Sequence, residues 1–311
     1  MKKYSNFDSE MEAGNHFIKN LACAKSVIFK RILQAFLVFI LLSFTHSSLA
    51  QTQAITEENY RRALEAIETE FDQEMQKLSE YAQNHPEKRD SLFAVWEQLI
   101  ASVEQKSAEA LIKHASAFDV PNFLEQLYRL RLNAPKDAIR DVLITLSENE
   151  QSLPYAQSLK YHVETQQITV GSGYYDFQAT DAERGDFIFS SLKGKNILLL
   201  YGGLDCMGAQ GRNDLNKLYN TISQDSFEIV VFCGNSSNLE SLQGEREKYQ
   251  QSLPFDYYLV SDFMRDHSKM KILYGAQATP TAFLINDKGI VVMKTMGFDY
   301  EQVIQILNEL Q

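Results

Sequence analysis

Two cysteines and one proline carry the chemistry this chain can offer. Cys206 follows the apolar run Asn196-Ile197-Leu198-Leu199-Leu200-Tyr201 and stands where a helix begins. A thiol there is favoured as thiolate, the form that attacks disulfides, by the unpaired N–H groups of the helix start. Cys233 ends a second apolar run, Phe227 to Cys233. Thr279-Pro280 precedes a third, Thr281 to Ile285. If the first two runs are parallel strands of one β-α-β unit, both cysteines lie at the same edge of the sheet, the carboxyl end where α/β sites gather. They then either pair as a disulfide or act as attacking and resolving thiols, or else Cys233 is simply a buried thiol. Pairing requires Cα atoms within about 7 Å.

The elements that must hold these residues read from periodicity. The run at 196–201 is continuous and apolar, as suits a strand buried on both faces. A stretch of helical length separates it from 227–233. A further strand is expected at Tyr257 to Ser261, and a helix from Met264 to Tyr274 closed by Gly275. Two last strands, Thr281–Ile285 and Ile290–Met293, flank the hairpin turn Asn286-Asp287-Lys288-Gly289, and a helix with Val303, Ile304, Ile306, Leu307 and Leu310 ends the chain.

The first half is different in kind. Tyr60, Leu64, Ile67, Phe71, Met75, Leu78 and Tyr81 form one stripe of a long amphipathic helix that Pro86 ends. Leu92, Trp96, Leu99 and Val103 form another. Asp119-Val120-Pro121, Asn133-Ala134-Pro135 and Ser152-Leu153-Pro154 open three more helices. The expected division is 1–50 as a signal peptide, 51–165 as a helical N-terminal domain and 166–311 as an α/β domain.

The signal reading rests on Lys25, Lys30 and Arg31 before the apolar run Ile32 to Phe44, followed by Ser48-Leu49-Ala50. The run is short of the roughly 20 residues that span a bilayer, so cleavage is favoured over an uncleaved anchor. The expected location is the periplasm, with no stable membrane insertion after cleavage. Of the 3 cysteines, export would leave Cys206 and Cys233, in a compartment where thiols pair, do redox work or stay buried. The net charge is −11, and no basic cluster follows the first residues, which argues against nucleic acid as a partner. The 6 histidines show no i, i+4 ligand spacing, so neither a metal site nor another cofactor is expected.

From Val170-Gly171 to Asp176-Phe177 the chain looks like a "G-x-x-x-P-x-F" opening, with Tyr175 in the place of proline. Leu192-Lys193-Gly194-Lys195 looks like an "L-x-G-K" lead into a core strand. Tyr274-Gly275, Thr279-Pro280-Thr281 and Leu284 to Gly289 look like a "Y-x-V-x-x-x-P-T-x-F-L-I-D-x-x-G" ending. In this order the motifs resemble the TlpA/ResA-like branch of the thioredoxin family, related to AhpC/TSA domains, over roughly 168–311.

The resemblance implies an α/β thioredoxin-like C-terminal domain behind the all-α block. It also implies a W-C-x-x-C site whose first cysteine attacks and second resolves, beside a cis proline. Here Cys206 matches the attacking cysteine, Ala209 replaces the resolving one and Asp205 stands for tryptophan. Pro280 matches the cis proline, and Thr279 would offer backbone groups to an extended partner chain. A C-x-x-A site forms a mixed disulfide but cannot release it by the usual route.

Asp205 is expected to cap the following helix. Its carboxylate opposes the thiolate by about 1 kcal/mol at roughly 4 Å in water, nearly cancelling the helix contribution. Cys206 is therefore expected to be a modest nucleophile. Three functions stand open: thiol–disulfide oxidoreduction of protein or peptide thiols through Cys206, redox-inactive binding of a peptide or partner at the Thr279-Pro280 edge, and capture of small thiols. No P-x-x-x-T-x-x-C pattern surrounds Cys206, which argues against peroxidase chemistry.

Overall fold

The computed structural model describes residues 47–85, 88–276 and 278–310. The apolar run at 32–44, Cys23 and Pro86 lie outside them, as does nearly all of the expected signal segment. Residues 56–311 form one compact unit.

Its first part is helical: α1 (Ser47–Asn84), α2 (Arg89–Lys113), α3 (Val120–Leu130), α4 (Lys136–Thr145), the single turn α5 (Glu148–Gln151) and α6 (Pro154–Glu164). Asp119 caps α3 by accepting from the Asn122 N–H, with proline inside the first turn, as the sequence pattern requires. The helices close on Leu111, Phe123, Leu124, Leu127, Ile139 and Leu159, all nearly solvent-free.

The second part is a seven-stranded mixed sheet in the order β2-β1-β5-β4-β3-β6-β7. The strands are β1 (Gln178–Asp181), β2 (Gly185–Ile188), β3 (Asn196–Tyr201), β4 (Phe227–Phe232), β5 (Tyr258–Ser261), β6 (Thr281–Ile285) and β7 (Val291–Met296). β3, β4 and β5 are parallel; β6 runs antiparallel to β3. Strand alternation splits the apolar residues into two cores. Leu198, Leu200, Ile229 and Val231 face α7 (Gly208–Thr221), α8 (Leu239–Tyr249) and α10 (Tyr300–Glu309). Ile197, Leu199, Tyr201, Val230 and Phe232 face the other way, toward Met270 and Tyr274 of α9 (Lys269–Tyr274). A parallel β3-β4-β5 core flanked by antiparallel β6-β7, with helices on both faces, is a thioredoxin fold.

The expected helix at 264–274 is broken. A short 3-10 turn at Arg265–His267 precedes α9, which Ser268 caps and left-handed Gly275 (φ 59°) closes. Phe263 and Arg265 sit at φ 58° and 51°, backbone that bars a continuous helix.

The two parts share a core. Ile272 of α9 is buried among the helical residues Leu124, Leu127 and Leu159. Around it lies a polar seam. The Tyr128 hydroxyl donates to the Asp266 carbonyl, Lys271 pairs with the Asp266 carboxylate, and the Tyr155 hydroxyl donates to the same carboxylate at 3.3 Å. Ser158 Oγ lies 2.9 Å from His267 Nδ1. Arg131, 2% exposed, stacks on the Tyr128 ring with its guanidinium carbon 3.9 Å from the centroid. Burial pushes Asp266 up, but Lys271 and Arg129 outweigh it and hold the carboxyl below its usual range.

Candidate active site at the carboxyl edge of the sheet

β3 ends at Tyr201 and the chain enters a turn through Gly202 and Gly203 before α7 begins at Gly208. Met207 N–H donates to the Gly203 carbonyl at 2.9 Å, and Gly208 N–H to the Asp205 carbonyl at 3.1 Å. Cys206 sits on this turn, exposed, two residues before the first helical residue. Ala209 occupies the first turn of α7 and is exposed.

Facing the turn is the loop into β6, where the Thr279-Pro280 peptide bond is cis. Cys206 Sγ lies 3.5 Å from Thr279 Oγ1. The loop is held from within and from the next strand: Thr281 Oγ1 donates to the Ala278 carbonyl at 2.8 Å, and Gly297 N–H donates to the Pro280 carbonyl at 2.8 Å. Gly202 and Gly203 allow the two segments to meet. A β-carbon on Gly203 would lie 2.4 Å from the Pro280 nitrogen, and Gly203 has φ 86°. Cys206, Thr279 and Pro280, the residues expected from the sequence, lie together here; Gly203 is an addition, signalled in the sequence only by paired glycines after an apolar strand.

Cys233 follows β4. Its N–H donates to the Val260 carbonyl at 2.7 Å, and Ser261 Oγ donates to its carbonyl at 2.9 Å. Its sulfur accepts from Ser236 Oγ at 3.1 Å. Both cysteines are free thiols. They open onto one cleft of about 210 Å³, lined also by Asp205, Glu245, Ser236 and Thr279.

Asp205 does not cap α7. Met207 holds the cap position and makes no side-chain cap bond, while the Asp205 carboxylate pairs with Lys248 Nζ of α8 at 2.7 Å. The 203–207 turn delays the helix start by two residues, so Asp205 projects outward to the lysine. That hydrogen bond holds its carboxyl below the usual range. The charge opposing a Cys206 thiolate is thus partly countered by an ammonium, a contact separated by 43 residues in sequence.

Among the described residues no group of three or more His, Cys, Asp and Glu is arranged to hold a metal ion, and no helix is long and apolar enough to cross a membrane.

This sheet order, with a cis proline facing an exposed cysteine ahead of a helix, defines a thioredoxin-fold protein. Residues 170–294 match the AhpC/TSA family model. Solved structures similar to it include a Chlorobium tepidum chain assigned as a thiol:disulfide interchange protein DsbE, 22% identical, at TM-score 0.39, covering 47% of this chain and 100% of that one. The thioredoxin domain of a thiol-disulfide oxidoreductase from Bacteroides vulgatus is 19% identical at TM-score 0.39, covering 46% and 100%. A thiol peroxidase from Chromobacterium violaceum is 18% identical at TM-score 0.37, covering 46% and 88%. No curated protein matches the chain. The assignment therefore rests on the family match and the strand order.

Proposed function

We propose that this chain is an exported thiol–disulfide exchange protein whose reacting group is Cys206. One observation carries the reading: the more exposed of the two thiols among the described residues lies 3.5 Å from the Thr279 side chain, beside cis Pro280. An extended partner chain laid along Thr279 would bring its own disulfide against Cys206 by strand-like pairing. The Cys206 thiolate attacks one partner sulfur, a mixed disulfide forms, and the other partner sulfur leaves as thiolate and takes up a proton. Ala209 removes the usual resolving thiol, so the mixed disulfide outlasts that of a two-cysteine site. Redox-silent binding at the same edge draws on Ala209 as well, and capture of small thiols needs only Cys206. The periplasm as the place of action rests on the signal-like pattern at 25–50.

The test is a peptide carrying a thionitrobenzoate mixed disulfide. With one equivalent of this peptide, wild type and Cys233→Ser should each release one thionitrobenzoate per chain, and Cys206→Ser should release it only at background. Equal release by Cys206→Ser would overturn the assignment and leave the binding reading.

A further inference from the structure

Cys233 has no role in the first step, yet it shares the cleft with Cys206. The last register pair of β3 and β4 is Tyr201 with Phe232, so Cys233 stands level with Gly202, four residues before Cys206. Its surroundings differ from those of an inert core thiol. It is half-buried rather than sealed, and Ser236 Oγ donates to its sulfur at 3.1 Å, a donor placed to favour the thiolate, the form that attacks. Ser236 is itself 3% exposed, which fixes the donor. The loop between them turns at Gly234, where a β-carbon would fall 2.3 Å from the Tyr201 hydroxyl, so this backbone is pressed onto the end of β3. On the other side, Cys206 rides a turn bounded by Gly203 and Gly208, both at positive φ (86° and 64°), the kind of boundary about which a short segment re-orients.

We propose that Cys233 is the resolving thiol of this site, taking the place that Ala209 vacates. The proposal rests on Cys206 as the attacking thiol. In the second step the Cys233 thiolate attacks Cys206 Sγ in the mixed disulfide. A Cys206–Cys233 disulfide forms, the bond to the partner sulfur breaks, and the partner leaves as thiolate and takes up a proton. Over both steps the protein dithiol loses two electrons and two protons, and the partner disulfide gains them. Closure brings the two Cα atoms within the roughly 7 Å a disulfide spans, and the Cys206 turn is the part that moves.

The experiment uses the reduced full chain and a stoichiometric amount of 2-hydroxyethyl disulfide, quenched with acid at intervals and read by intact mass and peptide mapping. Wild type should show a mercaptoethanol adduct on Cys206 that decays into a species lacking the two thiol hydrogens, mapped as a Cys206–Cys233 bridge. Cys233→Ser and Cys233→Ala should stop at the adduct. Ser236→Ala should form the adduct at the wild-type rate and slow its decay about three- to tenfold, the loss of one modest hydrogen bond. An adduct on Cys206 that persists as long in wild type as in Cys233→Ser would overturn the resolving role and spare the attacking one. No adduct on Cys206 at all would overturn both.

Discussion

Gly203 and Pro280 touch backbone to backbone: a β-carbon on the glycine would lie 2.4 Å from the proline nitrogen and 2.5 Å from its Cα. This contact anchors the start of the Cys206 turn against the loop that carries Thr279 and Pro280. Gly203 also sits at φ 86°, which an L side chain adopts at a cost.

Gly203→Ala is therefore expected to destabilise the protein by about 2–4 kcal/mol, combining left-handed strain with overpacking. A lowered denaturation midpoint checks it. Gly244→Ala, in open space on α8, serves as control and should be neutral or stabilising.

Removing the countercharge of Asp205 should slow the thiol. Lys248→Met leaves the Asp205 carboxylate without its ammonium partner beside Cys206, and alkylation by a neutral reagent at low salt should fall about two- to fivefold, the scale of one charge a few ångströms away in water. The difference should shrink in high salt. Unchanged rates in both salts would show that Asp205 does not act on the sulfur.

His162 supplies a pH dependence. It is 2% exposed, and burial, with the Arg131 and Lys136 cations, outweighs a backbone hydrogen bond at Arg131 and pushes it down to about 4. Above its unfolded value of about 6.5 the residue is neutral in both states and stability is complete. As pH falls from there toward 4, the unfolded chain binds a proton that the folded one refuses. Stability should fall by up to about 3 kcal/mol over that window. Urea denaturation at pH 7 and pH 5 measures it, and His162→Leu should flatten the difference.

The seam between the helical block and the sheet should be sensitive to Asp266. Asp266→Asn leaves Lys271, only 16% exposed, without its carboxylate. A loss of about 1–3 kcal/mol is expected, less than for a fully buried pair because Asp266 is 39% exposed. Adding Lys271→Met should recover part of it in a double-mutant cycle.

Completing the motif should raise turnover. Ala209 is exposed in the first turn of α7, so Ala209→Cys is tolerated by packing. Its insulin-reduction rate should exceed that of wild type by tenfold or more, because a thiol one helical turn away resolves without movement of the Cys206 turn. Equal rates would mean that resolution does not limit the reaction.

How much of this was legible in the sequence depended on whether the signal was local. β3, β4 and β6 read directly because strands buried on both faces leave unbroken apolar runs, and Asp119 announced α3 through its own cap. The β1-β2 hairpin gave no such signal. Its eight residues include Gln178, Thr180, Asp181 and Asp186, and its burial is intermittent. The site was half visible. Cys206 and Thr279-Pro280 carry residue types that chemistry demands, whereas the Asp205–Lys248 pair and the Gly203–Pro280 contact join segments far apart in sequence. The cap expected at Asp205 failed because the turn from Gly203 to Met207 consumes the residues that a direct strand-to-helix passage would have used.

On the proposed function, the fold turns a modest thiol into a site for extended disulfide partners. The rate of Cys206 with a peptide disulfide, in the native protein and in the same chain unfolded in urea, tests it most directly, with a small neutral disulfide as reference. Folding is expected to accelerate the peptide reaction tenfold or more and to leave the small-disulfide rate within a fewfold. Folding that slows both reactions would contradict it.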